Sequence, residues 1–113
     1  MDRLAIPSDD APKPARRAGL DGQFRYWRGA SGRRYLFSLI PPESLADFRD
    51  VVVIFAEPEG DRLLCRTLFA VGAEPAARPL PGEIVLVHLL AATEAGRRRA
   101  VADLTAPRLG LAA

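Results

Sequence analysis

The stretch FRYWRGASGRRYLF, Phe24 to Phe37, interleaves aromatic rings and arginines on either side of a run of small residues. Guanidinium groups neutralise phosphates and flat rings stack on bases. Arg25, Trp27, Arg28, Arg33 and Arg34 are therefore candidate nucleic-acid contacts, and Arg97, from the run Arg97, Arg98, Arg99, would extend them. A plainer source gives the same pattern. Strand side chains alternate between two faces, so a hairpin with one buried and one wet face also alternates rings with cations.

Other residues with chemical potential are sparse. His88 is the single histidine and shares a strand face with Ile84, Leu86 and Leu90, an apolar setting that suits a hydrogen-bonded structural residue better than a base. Cys65, the single cysteine, rules out an internal disulfide. It could meet His88 across neighbouring strands as a thiolate pair, but no third group is at hand to orient such a pair. Glu57, Glu59 and Asp61 crowd one turn, EPEGD, without the spacing of a calcium loop. Phosphate-loop, dinucleotide-binding and nucleophile-elbow glycine patterns are all lacking, so neither a catalytic set, a metal site nor a cofactor is expected.

The arginine run near the C-terminus has helical partners. Glu94 and Arg98 are four apart, as are Arg99 and Asp103, which leaves Arg97 to pack its stem beside Val101 and Leu104 with its head in water. The net charge of +2 is carried almost wholly by arginine, with Lys13 the only lysine. Genomic base composition alone can produce an arginine- and alanine-rich chain of this kind. A polyanionic partner therefore follows only if the arginines share a face.

These residues have to be positioned by a small scaffold. In 113 residues there is room for one domain, read as 23–105, with a proline-rich tail over 1–22 that reads as disordered and a short tail over 106–113. No apolar run is long enough to span a bilayer and no leader pattern opens the chain, so a cytoplasmic protein without a membrane partner is expected. Gly29 to Gly32 form the loop of the hairpin. A symmetric register with a two- or four-residue loop pairs Tyr26 with Tyr35 and Phe24 with Phe37, puts those rings and Leu39 on the core face, and leaves Trp27 outside between Arg25 and Arg34.

A short helix is predicted over Pro42 to Arg49, then strands over Val51–Ala56, Arg62–Gly72 and Ile84–Ala91, and a last helix capped by Thr93 and running to Leu104. On the middle strand, Leu63, Cys65, Thr67, Phe69 and Val71 should share one side. The class is α+β: about five strands, antiparallel or mixed, with two helices against the sheet. The expected core includes Phe24, Tyr35, Phe37, Val53, Phe55, Phe69, Leu86 and Leu104.

The order of a hairpin, then VVVIFAEPEGDRLLCRTLFAVG, then VHLLAATEAGRRRAVADL resembles the layout of GIY-YIG-type nuclease domains. In that family two tripeptides on adjacent strands, with an arginine and a glutamate on later helices, make a metal-dependent phosphodiester-cleaving site. Ala70, Val71 and Gly72 stand at the second tripeptide with alanine in place of its tyrosine. The first falls in VVVIF, which has neither glycine nor tyrosine, and Ala102 stands where the carboxylate is sought. The resemblance implies at most an inactive relative. Two functions follow from the sequence: a small non-catalytic domain that binds another protein, or a nucleic-acid-binding or relic nuclease-like domain.

Overall fold

β-branched runs bounded by glycine and proline turns fold here into a single antiparallel sheet. The computed structural model describes residues 4–9, 13–18, 23–71 and 77–106. Its strands are β1 (Ile6–Pro7), β2 (Phe24–Arg28), β3 (Arg34–Ile40), β4 (Val52–Glu59), β5 (Arg62–Ala70) and β6 (Ile84–His88), in the spatial order β1-β5-β4-β6-β3-β2. Two α-helices, α1 (Lys13–Arg17) and α2 (Glu94–Thr105), and a 3-10 helix at Pro42–Asp47 complete the α+β arrangement. Among the described residues no helix is long and apolar enough to cross a membrane.

The sheet has six strands rather than five, because β1 comes from the stretch expected to be a tail. Ile6 pairs with Cys65 and Pro7 with Leu64. Ser8 donates its amide to the Leu63 carbonyl at 2.7 Å, and its hydroxyl accepts the Leu63 amide at 2.9 Å. Asp9 then donates its amide to the Tyr26 carbonyl at 2.7 Å, which joins the chain after edge strand β1 to edge strand β2. The sheet thereby curls into a nearly closed barrel. Proline punctuation concealed this short strand, which a proline can occupy only at a sheet edge. The rest of the expected N-terminal tail (1–3, 10–12 and 19–22), the loop residues 72–76 and the C-terminal residues 107–113 lie outside the described residues.

The central strands are apolar on both sides because both faces are covered. Trp27, Phe37, Val52, Ile54, Ala56, Cys65 and Leu86 fill the interior, while Val51, Val53, Phe55, Val85 and Val87 form a second cluster outside. Leu45 and Phe48 cover this outer cluster. They belong to the expected helix at Pro42 to Arg49, which is a six-residue 3-10 turn rather than an α-helix. Three residues per turn bring side chains three apart onto one side, and Pro41 and Pro42 remove amide donors at the start.

Two register details redistribute the side chains. The β2–β3 loop is Ala30–Ser31–Gly32, closed by Gly29 donating to the Arg33 carbonyl at 2.8 Å, with Gly32 at φ +90°. A loop of three residues, odd where an even one was expected, shifts the register by one. Trp27 lies opposite Tyr35, Arg25 opposite Phe37 and Tyr26 opposite Leu36. That slip moves every β2 side chain to the other face. On β5 a bulge at Phe55/Ala56 of its partner leaves Arg66 unpaired, so Leu63 and Cys65 face the interior together with Leu68, while Phe69 and Val71 join the outer cluster. Of the expected core, Tyr35, Phe37, Val53, Phe55, Leu86 and Leu104 are buried, whereas Phe24 and Phe69 are half-buried.

Helix α2 lies across one mouth of the barrel, where β2, β5 and β6 end and β3 and β4 begin. Thr93 caps it as expected, its hydroxyl accepting the Gly96 amide at 2.9 Å. Ala100 and Leu104 close over the interior cluster.

Candidate functional site

The hairpin arginines do not form one surface with Trp27. Trp27 is 0% exposed, edge-on to Phe37 with ring centroids 5.4 Å apart, and its indole N–H donates to the Ile6 carbonyl at 3.0 Å. Both the hydrogen bond and the packing are internal, and no ring face is open to a base. Arg34, expected beside Trp27, instead packs on its neighbour: the guanidinium lies 4.1 Å from the centre of the Tyr26 ring. The one-residue register shift explains both changes.

Other candidates also have structural partners. Arg97 is buried rather than reaching water: it donates to the Ala91 carbonyl at 3.1 Å and to the Asp50 carboxylate at 3.5 Å. It thereby ties the first turn of α2 to the start of β4. Arg28 pairs with Asp9 at 3.0 Å across the barrel seam, and Arg25 reaches the Asp61 carbonyl at 3.5 Å. Arg98 pairs with Glu94 at 2.7 Å, as the helical spacing predicts.

The matching pair Arg99–Asp103 is not formed. Asp103 instead takes the Ser31 amide at 2.8 Å, the Ser31 hydroxyl at 2.6 Å and the Tyr35 hydroxyl at 2.8 Å. Desolvation pushes its carboxyl up, but these hydrogen bonds and the nearby Arg33 charge outweigh that and hold it below its ordinary value. Desolvation and the bond to Asp103 push the Tyr35 phenol up. Gly29 allows this arrangement, because a Cβ there would collide with the Asp103 carboxylate.

With Asp103 held by the hairpin, Arg99 joins Arg33 and Arg34 around a cleft at the barrel mouth. The cleft holds about 260 Å³ and is lined also by Tyr35, His88, Leu90, Ala91 and Gly96. All three guanidinium side chains are exposed, and among the described residues no carboxylate forms an ion pair with any of them. Beside them, Leu89 is 53% and Leu90 74% exposed. The last expected strand would have covered both, but β6 ends at His88, opposite Val52, the first residue of β4. Beyond that point β4 no longer supplies a partner.

His88 forms part of this cleft. Its Nδ1 lies 2.8 Å from the Leu36 carbonyl, which can only accept, so Nδ1 carries the proton. The ring packs against Tyr35 and Phe37, with centroids 5.6 and 5.4 Å away. Cys65 is not beside it. β4 lies between their strands, and Cys65 pairs with Ala56 while His88 pairs with Val52. Four residues of strand separate them along the barrel, roughly 13 Å. Burial pushes the Cys65 thiol up to about 12, so it is a packing group and not a nucleophile.

Among the described residues no group of three histidine, cysteine or carboxylate side chains could hold a metal ion. Glu57 and Asp61 serve the β4–β5 turn region, Glu57 lying 3.9 Å from Arg66 and the Asp61 carbonyl accepting from Arg25. Gly72, part of the second tripeptide of the nuclease resemblance, lies outside the described residues. No family model, curated protein or solved structure matches the chain.

Of the residues singled out from sequence, Arg33 and Arg34 share the cleft, whereas Trp27, Arg97, Arg25 and Arg28 do not line it. Sequence reasoning missed Arg99, Tyr35 and Leu90 as site residues. No sequence signal marked Arg99, because its release depends on the bond between Asp103 and Ser31, 72 positions away.

Proposed function

We propose that the chain is a small non-catalytic domain that binds another protein through the cleft between the β2–β3 hairpin and α2. One observation carries this reading: Arg33, Arg34 and Arg99, exposed and with no ion pair among the described residues, line a concavity whose rim includes exposed Leu90. Cations next to an apolar step complement a peptide that places an acidic group beside an aliphatic one. The cleft is small, below the ~300 Å³ at which whole small ligands are usually enclosed, and so takes one group of a larger partner.

The nucleic-acid reading, including a relic of the GIY-YIG kind, draws on the same arginines and has less support. It has lost its stacking ring, Trp27, and its helical extension, Arg97, to internal bonds. Its remaining hairpin cations divide between the barrel seam and the mouth.

The test is selection of random peptides displayed on phage against the wild type and against the Arg34→Ala/Arg99→Ala variant. Peptides enriched on the wild type alone, with an acidic residue next to an aliphatic one, support the reading. No enrichment over the variant, whether or not the displayed library is first treated with a serine kinase, contradicts it. So does sub-micromolar binding of a labelled oligonucleotide near physiological salt that the same double substitution abolishes.

A further inference from the structure

Among the described residues, three concavities come into question. An apolar groove beside Leu45, Phe48, Phe69 and Val71 adjoins residues that are not described, and nothing around it indicates an occupant. A shallower groove at Leu39 to Pro42, Ile84 and Val85 has no charged group beyond Glu83 to select a ligand. The barrel-mouth cleft has both charge and shape.

We propose that the barrel-mouth cleft is a recognition site for a phosphate monoester carried on a side chain of a partner protein. This rests on the protein-binding reading above and specifies the group that enters. The charge count comes first. Arg33, Arg34 and Arg99 line the cleft, no described carboxylate lines it, and Asp103, bonded to the Tyr35 hydroxyl, already accepts three hydrogen bonds beside the Arg33 charge. Setting aside the His88 ring, the formal excess is two positive charges. A carboxylate would neutralise half of it, whereas a phosphate monoester carries about −1.5 to −2 at neutral pH.

Donor geometry points the same way. A guanidinium presents a planar fork of N–H groups that suits phosphate oxygens, and clusters of arginines are a recurring means of recognising phosphorylated side chains. The Arg34 guanidinium rests 4.1 Å from the centre of the Tyr26 ring, next to the cleft that Arg34 lines. Arg99 projects from α2, whose position is locked by Asp103 on the hairpin and by Arg97 on Asp50. Arg33 lies at the hairpin end, so the three donors come from two elements joined by the Asp103 bonds. The site is therefore organised before ligand arrives, which lowers the ordering cost of binding.

At the floor of the cleft the His88 Nδ1 proton is committed to Leu36 and the Tyr35 hydroxyl donates to Asp103. Leu90 supplies the apolar surface for the residue next to the phosphorylated one.

The experiment is an NMR titration at about pH 7.5, following the arginine Nε–H signals of the full chain. The probes are phenyl phosphate, its methyl diester, benzoate, inorganic phosphate, and a short peptide with leucine beside phosphoserine, alongside its unphosphorylated form. The expected result is that the Arg33, Arg34 and Arg99 signals move with phenyl phosphate, which binds at least about tenfold more tightly than the diester or benzoate. The phosphopeptide should exceed inorganic phosphate, and Leu90→Ser should reduce that advantage alone. Arg99→Ala should weaken all phosphate probes with the remaining backbone spectrum unchanged, which shows that the fold persists.

Equal affinity for monoester and diester would overturn the proposal in favour of a nucleic-acid backbone. Equal affinity for benzoate would overturn it in favour of a carboxylate. Inorganic phosphate binding as well as the phosphopeptide would overturn the protein source. In the last two cases a peptide selection that still depends on Arg34 and Arg99 leaves the protein-binding reading standing while this assignment falls.

Discussion

Asp103 gives its carboxylate to Ser31, whose hydroxyl and amide lie 2.6 and 2.8 Å away, and not to Arg99 one turn earlier on its own helix. The choice has two effects. It fastens α2 to the hairpin across the barrel mouth, with Ala30 also donating to the Asp103 carbonyl at 2.9 Å. It also leaves Arg99 with no ion pair among the described residues, beside Arg34 in the same state and Arg33, whose charge acts on Asp103.

Because the hydrogen bonds favour the charged form, Asp103 has a lower pKa folded than unfolded. A lowered carboxyl contributes stability above its unfolded value, about 3.9, and that stability is lost as pH falls through the folded value. Melting temperature measured from pH 6 down to pH 2.5 should drop below about pH 4, and Asp103→Asn should flatten that drop while lowering stability at pH 6. Identical acid limbs for both proteins would show that Asp103 is not held in this way.

Gly29 is required by space, not by backbone angle. Gly29→Ala places a methyl group against the Asp103 carboxylate and must displace it from Ser31 and Tyr35. A loss of about 0.5–1.5 kcal/mol in denaturant unfolding is expected, the usual net scale for hydrogen bonds that are partly exposed. In Asp103→Ala the same glycine substitution should cost far less, since nothing is left to collide with, and equal costs in the two backgrounds would refute the contact.

Residues 4–9 belong to the barrel. Removing residues 1–9 orphans the buried Trp27 N–H and opens the seam held by Ser8 and Asp9. An unsatisfied buried donor alone costs about 1–3 kcal/mol. As the single tryptophan, Trp27 reports on this directly: its emission should be blue-shifted in the full chain and shift to the red on truncation. A shortened chain with unchanged stability and emission would mean that β1 is dispensable.

Phe55, 1% exposed in the outer cluster and edge-on to Phe69, should cost about 3–5 kcal/mol on truncation to alanine. An unchanged melting temperature would show that the outer face is not a core. The Cys65 thiol, raised to about 12 by burial, should stay unreactive to a disulfide reagent at pH 8 until the protein unfolds.

Strands and helices were legible in the sequence where apolar runs were long: β4, β5, β6 and α2 start within a residue or two of their expected positions. Register was not legible. One extra loop residue between Gly29 and Arg33 exchanges Tyr26 for Trp27 on the inner face, and one bulge at Arg66 does the same to the second half of β5. Composition is blind to such parity because both versions of each strand carry an apolar set. The site was half legible for a related reason. Arg33 and Arg34 could be named from their neighbours, but Arg99 becomes a site residue only through a bond between Asp103 and Ser31, 72 positions apart.

The central claim is that this cleft binds a partner, and the most direct measurement is calorimetric titration of a peptide enriched on the wild type. The comparison is between Arg34→Ala/Arg99→Ala and a charge-matched control, Arg62→Ala/Arg78→Ala, whose arginines are exposed elsewhere on the molecule. The account predicts that the first pair weakens binding by about tenfold or more, two charge-assisted contacts being removed, while the control pair stays within about twofold of the wild type, as screened distant charges should. Equal weakening by both pairs would mean that only net charge matters, and would contradict a site at the barrel mouth.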